Sequence, residues 1–295
     1  MRTIAFISQK GGCGKTTSCL NIGAVLAREF GQFVALIDLD SNACASRTLG
    51  QEVSLADSVA GALLGYTSLQ AVAKATPETN LWIVPGSTSM HVVEYMEPQT
   101  DERREVSGLL SPWALTMELS QTDGLFDFVL VDCAGGNRFS QNLALLAADD
   151  VIIPTGLSHF DLMAAWPTMQ LVEQAIHERE QALGDFARPG PRLLGLLPNG
   201  SGKNGVGKKV QRMVDEIPEL VLSPIRRSEL LKTITTNDRL EDRLLVWSRP
   251  DHPASQSYRQ VAREILLGVD VARQASVAPT CLDELGDELE ESTGG

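Results

Sequence analysis

Residues 8–17 read Ser-Gln-Lys-Gly-Gly-Cys-Gly-Lys-Thr-Thr, a glycine-rich turn between a short apolar run, Thr3 to Ile7, and a helix-period segment, Thr16 to Phe30. A strand, a glycine turn and a helix in that order form the first half of a parallel crossover, which leaves few folds open. In such a turn the backbone N–H groups of Gly11 to Lys15 can curl into a nest at a helix start, where the aligned peptide dipoles favour a polyphosphate. Larger side chains would block that approach. Lys15 can reach the β and γ phosphates, and the Thr16 hydroxyl can face a Mg²⁺ ion bridging the same oxygens. The expected binding run is therefore Gly11, Gly12, Cys13, Gly14, Lys15, Thr16 and Thr17, and the expected ligand a nucleoside triphosphate.

The remaining periodicity extends this start into a complete layer architecture. Apolar runs at Phe33 to Ile37, Leu81 to Val84, Phe128 to Val131, Val151 to Ile153 and Leu193 to Leu197 read as strands, with helical patterns at Leu162 to Leu183 and Ala254 to Leu267. Repeated βαβ units predict an α/β fold: a mostly parallel twisted sheet, helices on both faces, and ligand at the carboxyl ends of the strands. Residues 1–272 are read as one P-loop nucleotide-hydrolase domain. Residues 273–295, ending Cys-Leu-Asp-Glu-Leu-Gly-Asp-Glu-Leu-Glu-Glu-Ser-Thr-Gly-Gly, read as an acidic tail, disordered or transiently helical. Segment 86–124 reads as a helical surface excursion, and the glycine- and lysine-rich residues 198–209 as a flexible loop.

Three acidic residues stand out against this frame. Asp38 and Asp40, two residues apart after the second strand, share a side by strand periodicity and lie at the edge where phosphates are expected. Asp132 caps the apolar run Phe128 to Val131 in the Walker B manner, where an acid holds a Mg²⁺-bound water. That pattern is weak alone and gains force from the phosphate loop. Gly135 and Gly136 follow, and suit a loop that senses the γ phosphate through backbone N–H groups.

Composition sets the remaining bounds. No run of about 18 apolar residues is present for a membrane span, and the start of the chain lacks a small-residue cleavage site; the expected home is the cytoplasm. Five cysteines, Cys13, Cys19, Cys44, Cys133 and Cys281, show no C-x-x-C pairing, which suggests free thiols. The net charge of −13 weighs against nucleic acid, yet its distribution is uneven. Residues 201–250 hold ten Lys or Arg against seven acids, and residues 51–150 four against fourteen. A polarised molecule can present one basic face.

The ordinary phosphate-loop pattern has glycine where this chain has Gln9, and Lys10 is an additional lysine before the Gly-Gly pair. This resembles the deviant Walker A motif of the ParA/MinD group, and the Ser8-Gln9-Lys10 lead-in is more similar to the ParA branch. Ala147 to Pro154, the Ser-Pro-Ile-Arg-Arg-Ser-Glu-Leu run at 223–230, and Tyr258 to Ile265 resemble further family segments. The resemblance implies an ATPase whose catalytic residues are Lys10, Lys15 and Asp40. Asp40 would position the attacking water, with Asp38 as support for the metal and lysine network. Thr16, and Asp132 through water, would hold Mg²⁺, and Asn199 matches a position that often contacts the base. No Asn-Lys-x-Asp guanine box is found, so ATP is favoured over GTP. The family continues its second strand Asp-Pro-Gln-Gly-Asn-Ala; this chain has Asp40-Ser41-Asn42-Ala43-Cys44-Ala45, an altered first switch loop.

By the same resemblance the partners would be a second copy of the chain in an ATP-dependent dimer, with Lys10 crossing to the other subunit's phosphates, then nonspecific DNA, and a ParB-like or cargo adaptor protein that stimulates hydrolysis. The candidate DNA contacts are Arg226, Arg227, Lys232, Arg239 and Arg243. Nucleoid association in the ATP state would follow. Two alternatives stay open: an ATP-dependent adaptor with little hydrolysis, and a MinD-like spatial regulator, although MinD-like membrane binding calls for a basic amphipathic end where this chain is acidic.

Overall fold

The computed structural model describes residues 1–95, 110–183, 190–201 and 220–267. Its elements in chain order are β1 (Arg2–Phe6), α1 (Lys15–Phe30), β2 (Val34–Asp38), α2 (Cys44–Thr48), α3 (Val59–Leu63), α4 (Leu69–Val72), β3 (Lys74–Ala75), β4 (Leu81–Val84), α5 (Met90–Tyr95), α6 (Ala114–Ser120), β5 (Phe128–Asp132), α7 (Arg138–Ala147), β6 (Asp150–Thr155), α8 (His159–Met163), α9 (Trp166–Leu183), β7 (Arg192–Ser201) and β8 (Ile225–Arg226). Three short 3₁₀ turns follow (Glu229–Lys232, Ile234–Thr236, Leu240–Asp242), then α10 (Leu245–Ser248) and α11 (Pro253–Leu267). The sheet has eight strands in the order β3-β4-β2-β5-β1-β6-β7-β8, parallel except for the edge pairing of β3 with β4. This is the expected α/β architecture.

Period-two alternation sorts each central strand between two cores. Ala5, Ile37, Val129, Val131, Val151 and Ile153 face one cluster with Leu143 and Leu146 of α7 and Met169 and Val172 of α9. Ile4, Phe6, Leu36, Phe128, Leu130 and Ile152 face the other, with Leu20, Ile22 and Leu26 of α1 and Tyr258, Val261 and Ile265 of α11. Strands buried on both faces explain why these runs are continuously apolar. Truncating one such side chain, Leu130→Ala for example, costs about 2–5 kcal/mol through lost transfer energy and the cavity left behind.

The helix α1 is pressed so closely onto the sheet that a Cβ at Gly23 would lie 2.8 Å from Leu36 Cδ2. It stops at Gly31, which takes the left-handed conformation (φ 65°) and returns its N–H to the Leu26 carbonyl. At the opposite edge from the phosphate loop, buried Asp150 receives Arg2 Nε at 2.6 Å and lies 2.8 Å from Arg192 Nη2, tying together the starts of β1, β6 and β7. The strand order reverses at β1, between β5 and β6, so the crevice past the end of β1 is where ligands of this architecture bind.

Three expectations are corrected. Segment 86–124 is no mere surface excursion: in its described parts Met90, Val93, Leu110, Leu115 and Leu119 are buried against the core. Residues 198–201 belong to β7, where Asn199 pairs with Ile225 and Ser201 with Arg226; the rest of the expected loop, and the tail, lie outside the described residues. The helix expected over 162–183 is two, α8 and α9. Among the described residues no helix is long and apolar enough to cross a membrane.

Candidate functional site

The chain leaves β1 into the glycine turn, and Gly12 (φ 73°) and Gly14 (φ 91°) both adopt the left-handed conformation that L side chains avoid. Gly14 is the N-cap of α1 and carries no side-chain acceptor, so the first N–H groups of the helix lack a side-chain cap. That is the geometry of an anion site. Beyond the adjoining residues of the chain, nothing lies within 4 Å of where a Cβ would stand on Gly11 or Gly12. The turn borders a cavity of about 680 Å³ walled by Gly11, Gly12, Gly14, Lys15, Thr16 and Thr17, by Asp40 and Arg47, by Gly135, and by Thr236 and Arg243.

Lys15 is largely buried and folds back over the turn, donating to the Lys10 carbonyl at 3.2 Å. Cys13 is buried in the turn, and its Sγ donates to that same carbonyl at 3.2 Å. Gly135 passes close by: a Cβ there would lie 3.1 Å from Lys15 Nζ. The loop after β5 thus passes directly beside the phosphate loop's lysine. Lys10 is ion-paired with Asp161 of α8, and Asp161 also accepts from the Ser158 N–H (2.9 Å) and hydroxyl (2.6 Å).

Asp38 and Asp132 end β2 and β5 as register partners. The two aspartates after β2 do not act as one face, because the strand stops at Asp38. Asp38 Oδ2 accepts from the Ser46 N–H (2.8 Å) and hydroxyl (2.7 Å), and Oδ1 from the Asp40 N–H (3.1 Å). Its bonded oxygens pin the switch loop to the sheet. Asp40 lies in the loop, partly buried, where its Oδ1 accepts from the Asn42 N–H at 2.8 Å and Nδ2 at 3.0 Å, and it lines the cavity.

Burial drives Asp38 up to about 6 despite the Ser46 bonds, which act the other way. Burial likewise raises Asp132 well above the ordinary carboxylate value, with the Asp38 charge adding to it and the Thr16 hydroxyl opposing. Both Asp132 oxygens are buried without a hydrogen bond of good geometry to the protein, although Thr16 is near enough to favour the charged form. An orphaned buried carboxylate beside a phosphate cradle fits a hydrated cation. Among the described residues no group of three or more His, Cys, Asp or Glu could hold a metal ion.

Asn199 reaches from β7 to the start of α1. Its Nδ2 donates to the Cys13 carbonyl at 2.7 Å, its Oδ1 lies 3.5 Å from Ser18 Oγ, and a Cβ on Gly14 would stand 2.8 Å from its Nδ2. The amide braces the start of α1 from β7. Of the candidate DNA contacts, Arg226 is exposed on β8; Arg227 and Lys232 share Glu229 at 2.8 and 2.7 Å; Arg239 pairs with Glu241 at 3.3 Å. Arg243, half-buried, donates to the carbonyls of Arg47, Thr48 and Asn237. Sequence reasoning missed Asp161, Ser46 and Arg47, none of which sits in a motif.

Comparison with known proteins gives a consistent picture. The AAA domain family model matches residues 1–184. The chromosome-partitioning ATPase Soj of Treponema pallidum is 31% identical over 175 residues, 59% of this chain and 64% of that relative, so the match spans just under two thirds of its length. A ParA family protein of Chlamydia pneumoniae is 27% identical over 273 residues, covering 90% of this chain and 98% of the relative. Among solved structures, a Mycobacterium smegmatis cobyrinic acid a,c-diamide synthase with bound ADP and magnesium is 27% identical with a TM-score of 0.70, covering 92% of this chain and 97% of that one.

Proposed function

The chain belongs to the AAA domain family, as a ParA/MinD-type P-loop ATPase, and from that premise we propose that it hydrolyses ATP, with Mg²⁺, to drive the partition or positioning of a cargo. The observation that carries the reading is the convergence on one cavity of a two-lysine phosphate loop, Asp40, and the Gly135 loop, with orphaned Asp132 beneath. The loop N–H groups and Lys15 bind and orient the phosphates. Thr16, and Asp132 through water, would hold Mg²⁺, which would offset the charge on the phosphate oxygens. Asp40 orients the attacking water.

Lys10 acts across a dimer. Two ATP-bound subunits close face to face, and each Lys10 leaves Asp161 to supply positive charge to the other subunit's phosphates, the work of an arginine finger done by lysine. The dimer binds DNA without sequence preference through Arg226, Arg227, Lys232 and Arg239, which places it on the nucleoid in the ATP state and in the cytoplasm otherwise. A ParB-like or cargo adaptor protein stimulates hydrolysis and so releases it. Binding to nonspecific duplex DNA with ATP, ADP and no nucleotide, over a salt series, tests the reading. ATP-dependent binding that weakens with salt supports it. Dimerisation on ATP with no DNA binding in any state would point to an ATP-dependent adaptor.

A further inference from the structure

We propose that Arg243 is a positioning residue of the nucleotide site, a clamp that joins the two outer walls of the cavity and sets where the Asp40 loop can lie. The inference rests on the nucleotide reading of that cavity. One wall is α2, which follows Asp40 after three residues; the other is the irregular segment running from the Glu229–Lys232 turn to Leu244. The two are separated by nearly two hundred residues of chain. Arg243 bridges them: its Nη1 donates to the Arg47 carbonyl at 3.0 Å and lies 3.4 Å from the Thr48 carbonyl, while its Nε donates to the Asn237 carbonyl at 2.8 Å.

The chemistry of those acceptors explains why an arginine stands here. The last carbonyls of any helix lack intrahelical partners and carry the negative end of its dipole. In α2, five residues long, Arg47 and Thr48 are the final two; the Arg47 carbonyl already accepts from the Gly50 N–H at 3.0 Å, and the guanidinium takes its second lone pair. A guanidinium meets several such acceptors at once through its fixed fork of donors, whereas an ammonium cannot span the same set. Beside the clamp, Leu240 closes the seam: a Cβ on Gly50, just past α2, would stand 2.8 Å from Leu240 Cδ2. Arg47, Thr48, Thr236 and Arg243 all line the cavity itself. Any change in the spacing of these walls therefore changes the space open to the nucleotide and the position of the loop that carries Asp40.

The test compares Arg243→Lys, Arg243→Ala and Leu240→Ala with the unsubstituted chain. Amide hydrogen exchange of residues 44–50 is measured without nucleotide, and ATP affinity and turnover with it. A clamp requires faster exchange at 44–50 in all three variants, and ATP affinity lowered on the order of tenfold in both Arg243 variants, with Leu240→Ala affected less. Lysine fails to rescue. A DNA-contact role requires the opposite: Arg243→Lys behaves as the parent, and Arg243→Ala loses DNA affinity and about one unit of salt slope while exchange at 44–50 is unchanged. That result, or unchanged ATP affinity in Arg243→Ala, overturns the proposal. Thermal unfolding separates both from general loss of fold, and Leu240→Ala keeps the question open to decision if the Arg243 variants do not fold. If the unsubstituted chain itself fails to bind ATP, the nucleotide reading falls and the proposal with it.

Discussion

Asp38 and Asp132 stand opposite each other as the last register partners of β2 and β5, both buried, one fully hydrogen-bonded and the other without a partner. The folded, metal-free protein therefore holds two carboxylates where water cannot reach them. Asp38 titrates near 6, above its ordinary value of 3.8, so the native state binds an extra proton between those values. Stability then falls as pH rises through that window. Asp132, raised by burial and by the Asp38 charge, acts in the same direction. Metal-free protein is expected to melt at higher temperature at pH 5 than at pH 7.5. Asp132→Asn should flatten that dependence and raise the melting temperature at pH 7.5, while abolishing Mg²⁺-dependent turnover; a lower melting temperature at pH 7.5 would show that the carboxylate contributes stability instead.

Lys10 is held in its own subunit by Asp161, a half-exposed pair whose energy is modest. Asp161→Asn removes the charge and keeps an oxygen that can accept from Ser158. If Lys10 must leave to act on a second subunit, the variant should dimerise at lower ATP concentration, by severalfold in sedimentation velocity. Dimerisation that requires more ATP would assign Asp161 a role in the closed dimer.

Asn199 braces the phosphate loop through the Cys13 carbonyl. Losing it relaxes the nest, which serves every triphosphate alike. Asn199→Ala should weaken ATP and GTP binding by a similar factor, roughly tenfold from one well-formed, partly buried hydrogen bond and its neighbours. A change in the ratio of the two affinities would return Asn199 to the base.

What the sequence disclosed follows from how locally each feature is encoded. Phosphate binding is written in ten contiguous residues, because the nest, the lysine and the hydroxyl must come from one turn. The strands were readable because burial on both faces makes them continuously apolar, and Asp132 because it closes such a run. Asp161 lies 151 residues from Lys10, and Arg243 nearly two hundred from Arg47, so only the folded chain brings these pairs together. Isolated surface arginines carry no mark of which carbonyls they meet. The switch loop is intermediate. Ala43 replaces the glycine of the ParA pattern, yet the backbone keeps the left-handed conformation (φ 48°, ψ 42°), at a cost of about 1–2 kcal/mol. Ala43→Gly should accordingly stabilise the folded chain, and a lowered melting temperature would place that strain elsewhere.

Glu229 accepts from both Lys232 and Arg227, and those two cations hold it below the ordinary carboxylate range. All three side chains are exposed, so the pairs are screened and weak, but they fix two cations of the proposed DNA face against one acid. Phosphate binding there must displace Glu229 or tolerate its charge. Glu229→Gln removes that competition without adding a cation, and so isolates the face's electrostatics from its shape. The ATP-bound dimer should then hold nonspecific DNA more tightly, with the slope of log affinity against log salt steeper by up to about 0.9 for each cation newly engaged. An unchanged slope and affinity would mean that Arg227 and Lys232 do not meet phosphate, and that any DNA contact lies on another surface.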